Sequence, residues 1–526
     1  MSKFFKRSVF CFVLILTLML VSGLRVMTVA CDRRLSLAAT EQSTRRVDIS
    51  SNRGNIFDCN GMPLTDTYYD TVTVVLPTDL ASVPLSEMLS GEQYKAALNR
   101  IRQGNAVTVF GKTPFTKGDW KQLFVPQRYG TMLTHVLGYV GSDGHGVTGV
   151  EKAFDDLLCA RSPLSISYST DRRGQMLKGL GVTVDEGQKG GNVTLTVDSR
   201  LQVLTEQAMS EAVSGAAVIL EARTGKLKAV VSCPDYDREN IAAALKAEHS
   251  PLINRATYSY NVGSVFKPCL ASAALENGLS DYRYTCTGSI TVGDVTFKCN
   301  RSAGHGELGL KEALAVSCNT YFYTLGERLG AEAVYNMAKA LRFGEVLDCG
   351  GGTVSSSGAV PSVETLKSIP AELTNLSIGQ GELMLSPIAL SLLYAAVVNG
   401  GEYRLPYIVQ STELDGQEQR RQPSLPTYAF SKKTADVLKE YLKNALQNGT
   451  GSSAFTEGVS SGGKTGTAQT GWRDGDRSIL NGWFCGFYEG NEPYVIVIVK
   501  EDVKSGSTDC APIFKEITKA MKNLEF

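Results

Sequence analysis

The chain has 526 residues, enough for two large domains or three smaller ones. Hydrophobic residues make up 43% and charged residues 20%, an ordinary globular balance, and 53 basic residues match 53 acidic ones. That neutrality excludes a global field drawing the protein to nucleic acid, and no like-charge block, low-complexity tract or fixed-period repeat is present.

At the N-terminus, Lys3, Lys6 and Arg7 precede an uncharged run from Val9 to Leu24, and Arg25 interrupts it before Val26 to Ala30. A spanning helix needs about 20 apolar residues, a length reached if Arg25 extends to the outer face. The basic flank predicts a cytoplasmic N-terminus with the rest of the chain outside. An uncleaved membrane anchor over residues 1–31 is expected. A cleaved secretory signal, or a lipoprotein signal at Ala30-Cys31, are alternatives, and all three export the protein.

After a polar stretch, Asp32 to Asp48, the run Arg53-Gly54-Asn55-Ile56-Phe57-Asp58-Cys59-Asn60-Gly61-Met62-Pro63-Leu64 predicts a tight turn at Asn60-Gly61. Residues 65–190 mix short strand-like and helical pieces with many glycines and offer no catalytic group. Asn192 to Val197 alternates as a strand. Asp198 suits the N-cap of a helix whose apolar face includes Leu201, Leu204 and Met209. Ala216 to Leu220 and Leu227 to Val231 flank Thr224-Gly225 as a hairpin. Trp483 to Tyr488 and Tyr494 to Val499 read as paired strands, and Ala511 to Leu524 as a closing helix. Strands at both ends of residues 215–526 with helices between predict one α+β domain.

Twelve cysteines are scattered from Cys11 to Cys510, unlike a small disulfide-stapled fold. No Cys-x-x-Cys pair occurs and only 4 histidines are present, so no zinc or other metal site is expected.

Ser264-Val265-Phe266-Lys267 carries a candidate nucleophile. If a helix starts here, Ser264 and Lys267 share a face, and a lysine of lowered pKa can take the serine proton. A second Ser-x-x-Lys, Ser461 to Lys464, lies in a glycine-rich stretch that helices avoid. Either match alone is weak. Ser317-Cys318-Asn319 follows Ser264 by about 50 residues, and Lys464-Thr465-Gly466-Thr467 follows that by about 150, which completes an ordered set known from penicillin-binding proteins and serine β-lactamases. Taken singly, Ser317 and Asn319 would pass for helix caps, and Lys464 to Thr467 for a surface turn.

The sequence resembles a class B penicillin-binding protein, a monofunctional transpeptidase, along almost its whole length. Arg53 to Leu64, His135 to Tyr139 and Gly149-Val150-Glu151 resemble signatures of that family's non-catalytic pedestal. Asn254-Arg255-Ala256 and Tyr260 to Lys267 resemble the approach to its nucleophile. Ile378 to Gly381, Ser386-Pro387 and Trp483 to Phe487 match further blocks. Val262 stands where the family usually has proline, Val265 where it has threonine and Cys59 where arginine is common; none of these removes a reacting group.

The resemblance implies an anchor over 1–31, a pedestal over 32–190 and a transpeptidase domain over 191–526, the last an antiparallel sheet with helices on both faces plus a helical subdomain. It implies attack by Ser264 on the D-alanyl-D-alanine end of a peptidoglycan stem peptide, with Lys267 as base. Ser317 would relay protons, Asn319 would hold the donor amide, and Lys464 would supply positive potential. Backbone N–H groups of Ser264 and Thr467 would form the oxyanion hole, and Thr465 and Thr467, flanking Gly466, would bind the terminal carboxylate. Penicillin and other β-lactams would acylate the same serine. No cofactor is implied, and a separate membrane glycosyltransferase is the expected partner. The alternatives are a β-lactam-hydrolysing or β-lactam-sensing relative and a non-catalytic scaffold of the wall-synthesis complex. Cys318 sits inside the serine-x-asparagine motif, with Cys286 and Cys299 between it and the nucleophile; in an oxidising compartment a disulfide to one of them, Cys299 before Cys286, would make a candidate redox switch, the alternative being three small buried free thiols.

Overall fold

The computed structural model describes residues 3–35, 42–112, 117–130 and 132–526. The first helix, α1 (Lys3–Ala30), runs unbroken through Arg25 and buries none of its side chains. At about 1.5 Å per residue it is long enough, and apolar enough, to cross a bilayer of about 30 Å.

The chain forms two compact units that interleave in sequence. The smaller comprises Met1–Arg53, Asp66–Arg128 and Ala160–Lys189; the larger comprises Gly54–Thr65, Tyr129–Cys159 and Gly190–Phe526. The contacts therefore do not follow a single cut at 190/191. The reason is local: Ile56–Phe57 pairs in parallel with Asn192–Leu195, and Gly191 donates its N–H to the Leu157 carbonyl. In the smaller unit, Thr44–Ser50, Leu164–Ser169 and Val182–Asp185 form an antiparallel sheet over a core that includes Val72, Val125, Ile166 and Tyr168.

The larger unit is built on a five-stranded antiparallel sheet. Its strands are β1 (Gly215–Glu221), β2 (Lys226–Cys233), β3 (Ser461–Asp474), β4 (Arg477–Glu489) and β5 (Pro493–Lys500), in the order β2-β1-β5-β4-β3. The predicted hairpin at Thr224-Gly225 joins β1 and β2, and Gly225 supplies the left-handed φ of +79° that the turn requires. The pairing expected near the end is present, with Trp483 opposite Val499 and Phe487 opposite Val495.

Both faces of this sheet are covered, so its strands read as continuous apolar runs rather than alternating ones. Val495, Val497 and Val499 face one core with α5 (Pro387–Val398); Ile496 and Ile498 face the other with α2 (Ser199–Ala208) and α7 (Ala511–Asn523). Asp198 caps α2 as predicted, accepting from the Arg200 N–H. Helix α5 is buried nearly all round and begins with Ser386 accepting from the Ala389 N–H, with Pro387 behind it, a pre-set N-terminus.

Four further elements frame the motif residues. A 3₁₀ turn, Gly263–Phe266, leads into α3 (Lys267–Glu276). Helix α4 (Asn319–Ala340) starts at Asn319 and breaks at Gly330. Helix α6 (Lys432–Asn448) packs alongside β3. The α-helix expected to begin at Ser264 begins instead at Lys267. A tighter turn precedes it because Gly263 has a φ of +62° and donates its N–H to the Gly379 carbonyl at 2.7 Å.

Candidate active site

Ser264 is half-buried at the top of this turn, and Lys267 is fully buried three residues on. The Lys267 Nζ lies 2.8 Å from the Ser317 carbonyl, 3.2 Å from the Ser317 Oγ and 2.8 Å from the Asn319 Oδ1. The first two sequence motifs thus meet on one amine. Burial lowers the Lys267 pKa from its usual 10.5 to about 7, against smaller opposing contributions from Cys318 and Cys299. A neutral amine has two N–H groups and one lone pair. The N–H groups suit the Ser317 carbonyl and Asn319 Oδ1, which leaves the lone pair free for a hydroxyl proton. Ser317 has a φ of +55°, a conformation costly for a residue with a Cβ, and one that turns its carbonyl and hydroxyl onto the same partner.

The third motif lies on the sheet edge. Lys464 is 1% exposed and donates to the Thr465 carbonyl at 3.0 Å and to the Thr450 Oγ1 at 3.3 Å. Burial and then the nearby Lys267 push its pKa well below the ordinary lysine range. The Thr465 and Thr450 hydroxyls are 2.9 Å apart. Thr467 is exposed, and its Oγ1 accepts from the Gly506 N–H at 3.1 Å, so its own proton remains free to donate.

Close backbone approach locks the turn to the sheet. A Cβ on Gly466 would lie 2.9 Å from the Val262 carbonyl, and one on Gly263 would lie 2.8 Å from the Thr467 carbonyl. One on Gly379, whose φ is +73°, would lie 2.1 Å from the Gly263 carbonyl. Gly379→Ala is therefore expected to destabilise the protein by at least about 2 kcal/mol, from the left-handed φ plus the overlap, and to slow penicillin acylation by moving Ser264. Chemical denaturation and a labelling time course check both effects, and wild-type values in both would disprove the interlock.

Lys267, Ser317 and Asn319 thus form one cluster, with Ser264 on the turn that leads into Lys267 and with Lys464, Thr465, Gly466 and Thr467 on the strand packed against that turn. The other Ser-x-x-Lys is separated by its own geometry: Ser461 and Lys464 lie on β3, where residues three apart point to opposite faces. Sequence reasoning missed Thr450 and Gly506. The signal for Thr450 was the Asn448-Gly449-Thr450-Gly451 run, a turn that brings a hydroxyl to Lys464. Nothing local marked Gly506. A cavity of about 1170 Å³ lined by Tyr258, Tyr260, Asn261, Trp472 and Asn481 contains none of the motif residues, so open volume alone would not have found the site.

Behind the turn, the approach segment is held by a buried network. Arg255 donates to Glu501 at 2.7 Å and to the His249 carbonyl at 2.6 Å, and the Tyr260 hydroxyl donates to Glu501 at 2.8 Å. Burial and Glu501 together raise the Tyr260 pKa, keeping the phenol protonated as a donor.

The cysteines are free thiols. Cys299 and Cys318 lie with their sulfurs 3.8 Å apart, and Cys286 and His305 join them. The four donor atoms, Sγ of the three cysteines and a ring nitrogen of His305, all lie within 4.8 Å of one another. The spacing of the cysteines gave no sign of this arrangement. The donors come from three stretches of chain, Cys299 and His305 sharing the one that joins two short strands, so no short motif announces them.

Residues 215–519 match the family described as "Penicillin binding protein transpeptidase domain". The chain is 27% identical over 528 residues to Stage V sporulation protein D of Bacillus subtilis, an alignment covering 92% of this chain and 80% of that one. It is 30% identical over 473 residues to the peptidoglycan D,D-transpeptidase PbpA of Mycobacterium tuberculosis, covering 82% and 89%. Among solved structures, penicillin-binding protein 3 from Mycobacterium tuberculosis complexed with aztreonam superposes with a TM-score of 0.67 at 24% identity, covering 91% of this chain and 97% of that one. With the family's domain spanning more than half of the chain and a relative 30% identical over most of its length, this protein belongs to the class B penicillin-binding proteins.

Proposed function

We propose that this protein cross-links peptidoglycan by acyl transfer, with Ser264 as nucleophile and Lys267 as its base. The observation that carries the reading is the Lys267 amine, buried among Ser317 and Asn319 with a pKa near 7. A general base is most effective when its pKa lies near the working pH.

Lys267 takes the Ser264 proton as Oγ attacks the carbonyl between the two terminal D-alanines. Backbone N–H groups of Ser264 and Thr467 receive the developing oxyanion, an interaction typically worth about 3–4 kcal/mol per donor. Ser317, its hydroxyl 3.2 Å from the amine, passes the proton to the leaving D-alanine. Asn319 has its oxygen engaged by Lys267, which frees its N–H₂ for the peptide. An amine from a second stem peptide then displaces Ser264.

Burial, and then the nearby Lys267, lower the Lys464 pKa. A substrate carboxylate binding at Thr465 and Thr467 opposes that shift, because opposite charge favours the ionised form. Penicillin presents a carboxylate and a reactive carbonyl to the same groups and acylates Ser264.

Helix α1 serves as the anchor, with Lys3, Lys6 and Arg7 on the cytoplasmic side and the catalytic unit outside. The sequence shows no glycosyltransferase motif, so strand polymerisation falls to a separate membrane enzyme. Fluorescent penicillin on the detergent-solubilised protein is the test. A stoichiometric adduct that survives for hours is expected. Rapid turnover would indicate a β-lactamase, and the absence of any adduct a scaffold.

A further inference from the structure

We propose that Cys286, Cys299, Cys318 and His305 bind one zinc(II) ion, which braces the Ser317-Cys318-Asn319 turn against the segment in front of it. Three of the six donor–donor distances match the edges of a tetrahedral site, and all six are within 4.8 Å. With Zn–S bonds of about 2.3 Å and a Zn–N bond of about 2.05 Å, tetrahedral edges come to about 3.8 Å between sulfurs and about 3.6 Å between sulfur and nitrogen. The Cys299 and Cys318 sulfurs are 3.8 Å apart. The His305 Nδ1 is 3.5 Å from the Cys299 Sγ and 3.6 Å from the Cys286 Sγ. A disulfide would need about 2.05 Å. Four protein donors leave no open position, which marks a structural rather than a catalytic centre, and three thiolates with one imidazole favour zinc over hard cations.

The backbone around the cluster is built closely enough to hold the donors in place. Cys286 ends the strand Tyr284–Cys286, which pairs with Gly306–Leu308. The Cys299 N–H donates to the Gly288 carbonyl at 2.8 Å, and a Cβ on Gly304 would lie 2.2 Å from the Cys286 carbonyl. Cys318 is the N-cap residue of α4, and the Thr320 hydroxyl lies 3.4 Å from its sulfur, placed to donate to a metal-bound thiolate. All three cysteines are buried.

The ion would act on the site through Cys318, whose neighbours on either side both hold Lys267. Ser317 keeps its φ of +55° only if its surroundings enforce it, and a metal on the next residue does so. Zinc also occupies the thiols that an oxidising compartment would otherwise pair.

The test uses the full-length protein, purified in detergent under reductant and without chelator. About one zinc per chain is expected by elemental analysis. Cys286→Ser and His305→Gln should each lower zinc affinity more than about 100-fold, since loss of outer partners alone costs 10–100-fold. Cobalt(II) substitution should give thiolate-to-metal charge transfer and tetrahedral d–d bands in the wild type and neither in these variants. Circular dichroism identifies a variant that has unfolded, and the cobalt spectrum of the wild type alone still decides the point. Reduced, folded protein without stoichiometric zinc overturns the proposal, as does a Cys299–Cys318 disulfide in the isolated protein or undiminished metal in both variants. The metal readouts do not depend on Ser264. The bracing claim rests on the function proposed above: stripping zinc under reductant should slow penicillin acylation about tenfold, and re-addition should restore it. Unchanged acylation with the ion removed would refute the bracing.

Discussion

Ser264→Ala, treated with excess penicillin, is expected to show no covalent adduct by intact-mass measurement, while the wild type shifts by one penicillin mass per chain. Removing the nucleophile of a serine hydrolase costs up to about 10⁶ in rate, which puts acylation of this variant beyond any practical incubation. The hydroxyl is half-buried at a turn held by its backbone, and the contacts of Gly263 and Gly379 do not involve the Ser264 side chain. Stability should therefore stay within about 0.5 kcal/mol of wild type. A full adduct on Ser264→Ala would transfer the nucleophile to another residue, Ser461 being the first to examine.

Lys267→Ala should lower the second-order acylation rate by roughly 10²–10⁴, the usual contribution of a positioned general base. Lys464→Ala should retain a slow but measurable rate, because its proposed part is to supply field and hydrogen bonds rather than to move the proton. The pH profile follows from the Lys267 pKa of about 7. The reactive form is the neutral amine, so wild-type acylation should climb about tenfold per pH unit well below 7 and level off above it. A rate that stays flat from pH 5.5 to 8 would remove Lys267 as the titrating base, and equal losses in the two lysine variants would remove the division of labour between them.

Much of this was legible in the sequence because catalysis uses short local runs. Ser264 with Lys267, Ser317 with Asn319, and Lys464 with Thr467 each sit within four residues, and the paired strands at Trp483 and Tyr494 show their own apolar pattern. What lay hidden depends on chain segments that meet only on folding. The state of Lys267 is set by burial, which no motif encodes. Thr450 reaches Lys464 from the end of α6. Segments 54–65 and 129–159 group with the transpeptidase unit because pairings such as Ile56 with Val193 cross more than a hundred residues. The Cys286, Cys299, His305 and Cys318 group escaped for a related reason: zinc spacing rules look for close cysteine or histidine pairs, and none of these cysteines has another within a turn of it.

The strand order β2-β1-β5-β4-β3 has a kinetic consequence. The hairpin β1–β2 is complete by Cys233, but the next strand in the sheet, β5, begins at Pro493. At roughly 5–20 residues per second, synthesis leaves the outer edge of β1 unpaired for some tens of seconds. Ala216, Val218 and Leu220 then belong to an open, strongly apolar strand edge of the kind that recruits wrong partners. Lys464 arrives on that same late segment, so the cleft cannot exist in any partly made chain. A nascent protein of this design has Ser264 early and the strand bearing Lys464 late, and the interval before β5 is made is the one in which it most needs protection from aggregation.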